Sequence, residues 1–286
     1  TRDAVFIDYN PSKNFFINKY KKHEDTVFLH STFMDNIQFL TEGIVSKLKS
    51  YEPWKPGSYQ IVDDEVFYKG QKISAKNQPP PHELNIKNGT ADAYLWMVYG
   101  LGLLAEKPNR IYKDWKICSD IYFNNLEYKS YFGLDFGISS PTAVVEVKFD
   151  GDRTFYIKER LYKPSSYMGM PIYEWLKTKL KITASDLVVA DSAKQTMVED
   201  LQLGGLMAVG ALKGAGSISR RLTQVQGFNI VYTKSSENLE NEYMNYSYKV
   251  DRYGLVTDDV EQGDDHLMDS LGYIISYLIT YLGIKT

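Results

Sequence analysis

The chain of 286 residues is long enough for one large domain or two smaller ones, and its composition, 43% hydrophobic and 24% charged, is that of an ordinary globular protein. Its formal net charge of −3 excludes attraction of nucleic acid by the field of the whole chain, so a nucleic-acid partner would need a local basic patch. The single cysteine, Cys118, excludes an internal disulfide and suits a reducing cytosol, and the most apolar run, residues 271–284, is too short and too polar to span a bilayer.

The first 52 residues have an α/β pattern. The predicted elements are strands at residues 4–9 and 26–31, a helix or strand at 14–22, and a helix at 39–50 with Thr41 as its N-cap. Because a core-like strand stands almost at the first residue, we expect the chain to be a fragment or the second part of a larger protein.

Residues 53–127 change character, and we interpret them as an insertion and linker region. Prolines bracket a segment that alternates like a β-hairpin, with Lys69-Gly70 near its turn. Residues 91–105 are apolar and aromatic, which predicts a helix that ends before Pro108.

Residues 128–286 predict a mixed sheet flanked by helices. An antiparallel meander of three strands comes first, and βα units follow it. The predicted strands are residues 131–137, 142–149, 154–162, 186–191, 206–212 and 228–232. The predicted helices are residues 171–180, 194–203, 217–225, 236–248 and 265–282.

Acidic side chains mark the ends of two predicted strands and the start of the last helix. Asp135 lies in LDFG at the end of the first meander strand, and Asp191 closes VVAD. An acid that follows an apolar strand lies at the carboxyl edge of the sheet, where α/β folds place their sites. In GDDHLMDSLGY, the residues Asp265, His266 and Asp269 share one helix face through their i,i+3 and i,i+4 spacing.

Each of these acids also has a structural interpretation. A strand-terminal aspartate such as Asp135 or Asp191 is often a turn former or a helix cap, and we expect Asp264 or Asp265 to cap the last helix. Asp269 fits this interpretation less well, because it lies one turn into a helix whose next residues are core-like. Carboxylates gathered near a core need a cation between them. The set therefore predicts a Mg²⁺ or Mn²⁺ site of the kind that supports two-metal phosphodiester hydrolysis.

A local basic segment lies between residues 205 and 236, where no acid occurs. Its basic residues are Lys213, Arg220, Arg221 and Lys234. The turn from Lys213 to Ser217 precedes a helix, so the backbone amides and Ser217 are placed to meet a phosphate; the alternative is a solvated helix face behind a glycine turn. Phosphate contacts carry no sequence information, so we expect these residues to bind DNA with little base preference.

The order of elements and several segments resemble a known family. The meander with an aspartate on its first strand, the βα unit that ends in an aspartate and the late acidic helix resemble the ribonuclease H-like nuclease fold. Within that fold, the chain resembles the nuclease domain of the large terminase subunit of tailed bacteriophages, on the segments LDFGISSPTAVV, VVADSA, LKGAGSISRRL, IVYTKSSENLENE and DHLMDSLGY. Near the N terminus, FIDYNPS and LHSTFMDN resemble the last part of the terminase packaging ATPase.

The resemblance implies a metal site and the roles of its residues. Asp135, Asp191 and Asp269 match the metal-binding acids of the family, and His266 matches its histidine three residues before the last acid. Asp135 would then bridge two Mg²⁺ or Mn²⁺ ions, and Asp191 and Asp269 would hold one ion each. His266 would be a ligand or bond an attacking water, and Asp265 would stand behind the ligands as a further acid.

The resemblance also implies an activity and partners. Residues 1–52 would be the C-terminal part of the ATPase domain, and residues 128–286 would be an endonuclease that cuts concatemeric double-stranded DNA in the cytoplasm of the bacterial host. The implied partners are double-stranded DNA, the portal protein and the small terminase subunit, with no membrane. No G-x-x-x-x-G-K-[ST] motif occurs, so we expect ATP hydrolysis only from an ATPase domain or chain that carries the missing P-loop.

Two other interpretations stay open at this point. The chain is also consistent with another ribonuclease H-like nuclease, of the resolvase or transposase type. The second alternative is a non-catalytic packaging or portal-docking module whose acids are structural.

Overall fold

The computed structural model describes residues 23–27, 29–74, 76–251 and 255–284, and the chain forms two compact units, Thr1–Pro108 and Asn109–Thr286. The elements predicted at residues 4–9 and 14–22 lie outside the described residues. The strand predicted at residues 26–31 does not form in the described part of that range.

The first unit combines short helices with a small antiparallel sheet. Its elements are helix α1 (Glu42–Ser50), strands β1 (Gln60–Val62), β2 (Glu65–Tyr68) and β3 (Gln71–Lys72), and helices α2 (Glu83–Lys87) and α3 (Ala93–Leu95). Thr41 Oγ1 accepts a hydrogen bond from the Ile44 amide at 3.4 Å, which confirms the predicted N-cap. The predicted hairpin is present as β2-β3, and a second hairpin precedes it because Asp63 and Asp64 both adopt positive φ between β1 and β2.

The helix predicted at residues 91–105 is shorter than expected. α3 continues as one π-helical turn, Trp96–Gly100, and the chain then leaves the helix through Gly102, which has a φ of 65°. Apolar side chains from these elements form the core of the unit; they include Trp54, Val66, Trp96, Leu101 and Leu103.

The second unit is built on a seven-stranded mixed sheet with the order β4-β10-β7-β6-β5-β8-β9. Its strands are β4 (Lys116–Cys118), β5 (Ser130–Asp135), β6 (Pro141–Phe149), β7 (Thr154–Pro164), β8 (Leu187–Ala190), β9 (Met207–Gly210) and β10 (Asn229–Thr233). Within this sheet β6 runs antiparallel to β5 and β7, and the other pairs are parallel. This topology confirms the predicted meander followed by βα units.

Helices cover both faces of the sheet. They are α4 (Asp120–Asn124), α5 (Ile172–Thr178), α6 (Gln195–Leu203), α7 (Ser217–Gln226), α8 (Glu237–Asn245) and α9 (His266–Leu282). Strand residues alternate between two buried clusters, so Val144 packs with α5 and α6 whereas Val145 packs with α7, α8 and α9.

The second unit begins earlier than the boundary near Tyr128 that the sequence predicts. β4 pairs in parallel with β10, Ile117 opposite Tyr232, so residues assigned to the linker belong to this sheet. A two-stranded hairpin, β11 (Tyr248–Val250) and β12 (Val256–Val260), separates α8 from α9 and was not predicted. Among the described residues, no helix is long and apolar enough to cross a membrane.

Helix α9 lies unusually close to β5. A Cβ added at Gly133 would stand 2.0 Å from the Ser270 carbonyl oxygen, a distance that no side chain accommodates. Glycine at this position therefore lets the backbone of α9 touch the strand. Because Gly133 is two residues before Asp135 and Ser270 follows Asp269, the contact brings the two acids to one edge of the sheet.

Candidate functional site

Two aspartates lie side by side at the carboxyl edge of the sheet. Asp135 is the last residue of β5, and Asp191 directly follows β8. The two strands pair with Leu134 opposite Ala190, and the Asp191 amide donates to the Leu134 carbonyl at 3.0 Å. Both aspartates are 8% exposed. Neighbouring parallel strands thus present both carboxyl groups at one place.

The first turn of α9 adds a histidine to these acids. His266 is the first residue of the helix, and its Nδ1 lies 3.0 Å from Asp135 Oδ2. This hydrogen bond raises the pKa of His266, although burial of the ring opposes the shift. The structure therefore joins a predicted helix residue to a predicted strand residue 131 positions earlier.

Two further acids, Asp269 of α9 and Asp265 at its N-cap position, stand close to the same place. Burial raises the pKa of Asp269, and the Asp135 carboxylate adds to this while Arg221 opposes it. Burial also raises the pKa of Asp265 to about 6, with a further contribution from Asp269. Both shifts have the direction expected for partly buried carboxyl groups that lie near one another.

Basic side chains face two of the acids. Lys213, in the turn after β9, forms an ion pair with Asp191 through Nζ and Oδ1, and Arg221 of α7 donates from Nη2 to Asp269 Oδ1 at 2.9 Å. The Arg221 side chain is only 7% exposed. In this structure its guanidinium group is directed into the protein at Asp269, and the predicted contact of Arg221 with DNA phosphates stays a prediction.

Tyr273 is a residue of the site that the sequence analysis missed. Its hydroxyl donates to Asp269 Oδ2 at 3.3 Å, and its ring centroid lies 4.7 Å from Arg221 Cζ and 5.4 Å from Lys213 Nζ. The available signal was its i,i+4 spacing from Asp269 on the helix. Gly272 beside it leaves room for the guanidinium, since a Cβ there would stand 3.3 Å from Arg221 Nε.

Glu242 of α8 is a second residue that the sequence analysis missed. Its Oε2 accepts hydrogen bonds from the amides of Leu267 at 2.7 Å and Met268 at 3.0 Å. These are N–H groups of the first turn of α9, which need an acceptor. Asp265 occupies the N-cap position, but its side chain makes no capping hydrogen bond. The prediction that Asp264 or Asp265 caps this helix through its side chain is therefore wrong, and Glu242 accepts the capping hydrogen bonds instead.

The other predicted DNA-binding residues differ in exposure and lie on two separate segments, α7 and the residues after β10. Ser217 is the first residue of α7 and is buried, whereas Arg220, on the same helix, is exposed. Lys234 follows β10 and is exposed, with β7 and β6 standing between β10 and the strand of Asp135. Among the exposed basic residues predicted to bind DNA, Lys213 is the only one that contacts an acid of the site in the described part of the chain.

In their present arrangement, no three His, Cys, Asp or Glu side chains among the described residues form a group that could hold a metal ion. The chemistry of the donors nevertheless fits a hard divalent cation, since Asp135, Asp191 and Asp269 offer carboxylate oxygens from three separate elements. Their existing cationic partners, Lys213 and Arg221, show that the cluster requires positive charge in its vicinity.

One protein of known family is similar in sequence to most of this chain. No protein-family profile matches it. Over 258 residues it is 24% identical to the PBSX phage terminase large subunit of Bacillus subtilis (strain 168), a match that covers 88% of this chain and 50% of the relative. The chain thus spans about half the length of that relative.

Two solved structures of large terminases match this chain. The nuclease domain of the large terminase of bacteriophage SPP1, solved with bound manganese, is 22% identical with a TM-score of 0.50; the match covers 60% of this chain and 98% of that one. The large terminase of a thermophilic bacteriophage, in complex with ATP-gamma-S, is 19% identical with a TM-score of 0.47, covering 96% of this chain and 62% of that one. The chain is thus similar over most of its length to a phage terminase large subunit, and its mixed sheet flanked by helices has the ribonuclease H-like fold of the terminase nuclease domains.

Proposed function

We propose that this chain carries the endonuclease of a viral DNA-packaging terminase, which cuts concatemeric double-stranded DNA with little sequence preference. The observation that carries the proposal is the convergence of Asp135, Asp191 and Asp269, from β5, β8 and α9, at one edge of the sheet. Similarity to a terminase large subunit over most of the chain favours this function over a resolvase or transposase.

The three aspartates would hold two Mg²⁺ or Mn²⁺ ions, with His266 and Asp265 beside them. The manganese bound to the SPP1 nuclease domain supports the use of a divalent ion by a nuclease of this fold. Bound ions would polarise the scissile phosphodiester and lower the pKa of the attacking water.

His266 has a defined part in this proposal. Asp135 engages Nδ1 and so fixes the orientation of the ring. The second ring nitrogen, Nε2, is then the atom that exchanges a proton with a water molecule or with the substrate. Because the pKa of His266 is raised, the ring carries a proton over a wider pH range than a free imidazole.

Exposed cations along the carboxyl edge of the sheet would bind the DNA backbone. Arg220 on α7 and Lys234 after β10 are exposed, and Lys213, which pairs with Asp191, is also partly exposed. Contacts of this kind neutralise phosphates without reading bases, so DNA binding would weaken steeply with salt.

The remaining functions of a packaging motor would come from other protein segments. The sequence contains no P-loop motif, so ATP hydrolysis would be supplied by an ATPase domain or chain. The portal protein and the small terminase subunit would be the protein partners, in the cytoplasm of the bacterial host.

The proposed activity is tested with supercoiled plasmid and Mn²⁺. Wild type should convert the plasmid to nicked and linear forms. Asp191→Asn should reduce the rate of cutting by at least about a hundredfold, because loss of a metal ligand lowers activity more than loss of a residue that only hydrogen-bonds to a ligand. Asp200→Asn, an exposed acid on α6, is the matched control and should cut like wild type. Equal cutting by wild type and Asp191→Asn would refute the proposal, and a marked preference for branched DNA would favour a resolvase.

A further inference from the structure

The two basic side chains that face the acids differ in their freedom to move. Arg221 is 7% exposed and is fixed between Gly272 and Tyr273 on the interior side of α7. Lys213 is 36% exposed and begins the short turn that leads into α7. Its ammonium group is therefore the cation that can leave its acid without disturbing the core.

The turn that carries Lys213 has unusual conformational freedom. Gly214 and Gly216 adopt φ values of 150° and 70°, which other residues rarely adopt, and a Cβ at either position would meet nothing within 4 Å. The turn thus lies open to solvent on both sides of Ala215. Lys213 can swing outward from Asp191 with little loss of packing.

The ion pair at Asp191 conflicts with a metal ion at the same carboxyl group. Lys213 Nζ contacts Asp191 Oδ1, and this oxygen also accepts a hydrogen bond from the Ala193 amide at 2.9 Å. A divalent cation on Asp191 would stand within a few ångströms of the ammonium group, and the two positive charges would repel each other. The ion pair and a metal ion therefore compete for this carboxyl group, and Lys213 is the cation with room to move.

We propose that Lys213 is a displaceable internal cation: it neutralises Asp191 until a divalent ion binds there, and it is then released to bind a phosphate of the DNA backbone. This inference rests on the proposed function, and it couples metal binding to DNA binding through one side chain. Arg221 stays on Asp269 in both states. Because such coupling is reciprocal, DNA that captures Lys213 also raises the affinity of the site for the metal ion.

The metal half of the proposal is tested by calorimetric titration of the free protein with Mn²⁺. Lys213→Gln removes the competing cation and should raise the Mn²⁺ affinity about threefold to fivefold, the equivalent of a partly exposed ion pair. Arg220→Gln removes the same charge from an exposed position without a contact to Asp191, and it should leave the affinity unchanged. Lys213→Arg restores a cation and should return the affinity toward the wild-type value.

The DNA half is tested by fluorescence anisotropy of a labelled duplex with and without Ca²⁺, at several NaCl concentrations, with gels to show that the duplex stays intact. Release of one lysine adds one phosphate contact, so Ca²⁺ should steepen the slope of log K against log[NaCl] by about 0.9 in wild type. In Lys213→Gln the slope should be the same with and without Ca²⁺.

These experiments distinguish failure of the proposed Lys213 displacement from failure of the proposed nuclease function. If wild type binds Mn²⁺ and cuts plasmid but Lys213→Gln has wild-type Mn²⁺ affinity, the displacement is wrong and the proposed nuclease stands. An equal gain of Mn²⁺ affinity in Lys213→Gln and Arg220→Gln would show a general effect of charge and would also overturn the proposed displacement of Lys213. If wild type binds no Mn²⁺ and cuts no DNA, both proposals fall.

Discussion

Glu242 of α8 caps the N terminus of α9 from outside that helix, with its Oε2 accepting a hydrogen bond from the Leu267 amide at 2.7 Å. The carboxyl group is 1% exposed and is the acceptor for a second amide, that of Met268. Leu267 follows His266 directly and precedes Asp269 by two residues. The position of these two site residues therefore depends on a side chain from a different helix.

Removal of this carboxylate should change the pH dependence of stability. Burial raises the pKa of Glu242 from 4.5 to about 7, so the folded protein holds a proton that the unfolded chain releases between these values. Stability from this group is therefore fully present below pH 4.5 and falls as the pH rises toward 7, by about 3 kcal/mol in total. Glu242→Gln, which is neutral at all pH values, should remove this part of the slope.

The measurement is urea unfolding of wild type and Glu242→Gln at pH 5 and pH 8 in metal-free buffer. Other groups with raised pKa values, such as Asp265, contribute in both proteins and cancel in the comparison. Equal losses of unfolding free energy between the two pH values would contradict the role given to Glu242.

Loss of the Arg221 side chain should leave Asp269 as an uncompensated acid. Arg221→Gln should lower the free energy of unfolding by about 1–3 kcal/mol, because the half-buried Asp269 carboxylate loses its charged partner. Arg220→Gln, the exposed neighbour, should change stability by less than about 0.5 kcal/mol.

A double-mutant cycle separates the Arg221–Asp269 contact from general effects. Asp269→Asn removes the charge that Arg221 neutralises, so the two substitutions together should cost less than the sum of the two alone, by about 1 kcal/mol. Additive costs in thermal or urea unfolding would show that the two side chains do not interact.

The close approach of β5 and α9 predicts that Gly133 has no tolerated replacement. Gly133→Ala places a Cβ against the Ser270 carbonyl and should destabilise the second unit by about 2 kcal/mol or more, because backbone has to move. Gly263→Ala, whose Cβ would meet nothing within 4 Å, is the control and should be close to wild type. Thermal unfolding of the two variants measures the difference, and similar melting temperatures would contradict the contact.

Local patterns were sufficient to predict most strands and helices of the second unit and the positions of Asp135, Asp191 and Asp269 on them. Asp135 and Asp191 end apolar strands, and a strand end can be read from a few neighbouring residues. Sheet topology then brings the two acids together without further information. The helix periodicity likewise placed His266 and Asp269 on one face.

The features that were missed depend on contacts distant in sequence. β4 has only three residues, and its pairing partner β10 lies more than 100 positions later, so nothing local marks it as part of the sheet. The capping bonds of Glu242 join residues 25 and 26 positions apart. In sequence, the charge of Arg221 is typical of an exposed residue that could bind phosphate. Its burial results from the packing of α7 against α9, which no local pattern shows.

The proposed nuclease depends on the binding of divalent ions by Asp135, Asp191 and Asp269. Crystals of the chain soaked in Mn²⁺ and measured at the manganese absorption edge locate such ions. We expect two anomalous peaks about 4 Å apart, bounded by the three carboxyl groups, with the Lys213 ammonium group withdrawn from Asp191. The absence of a peak at these residues, or manganese only elsewhere on the protein, would refute the proposed metal site.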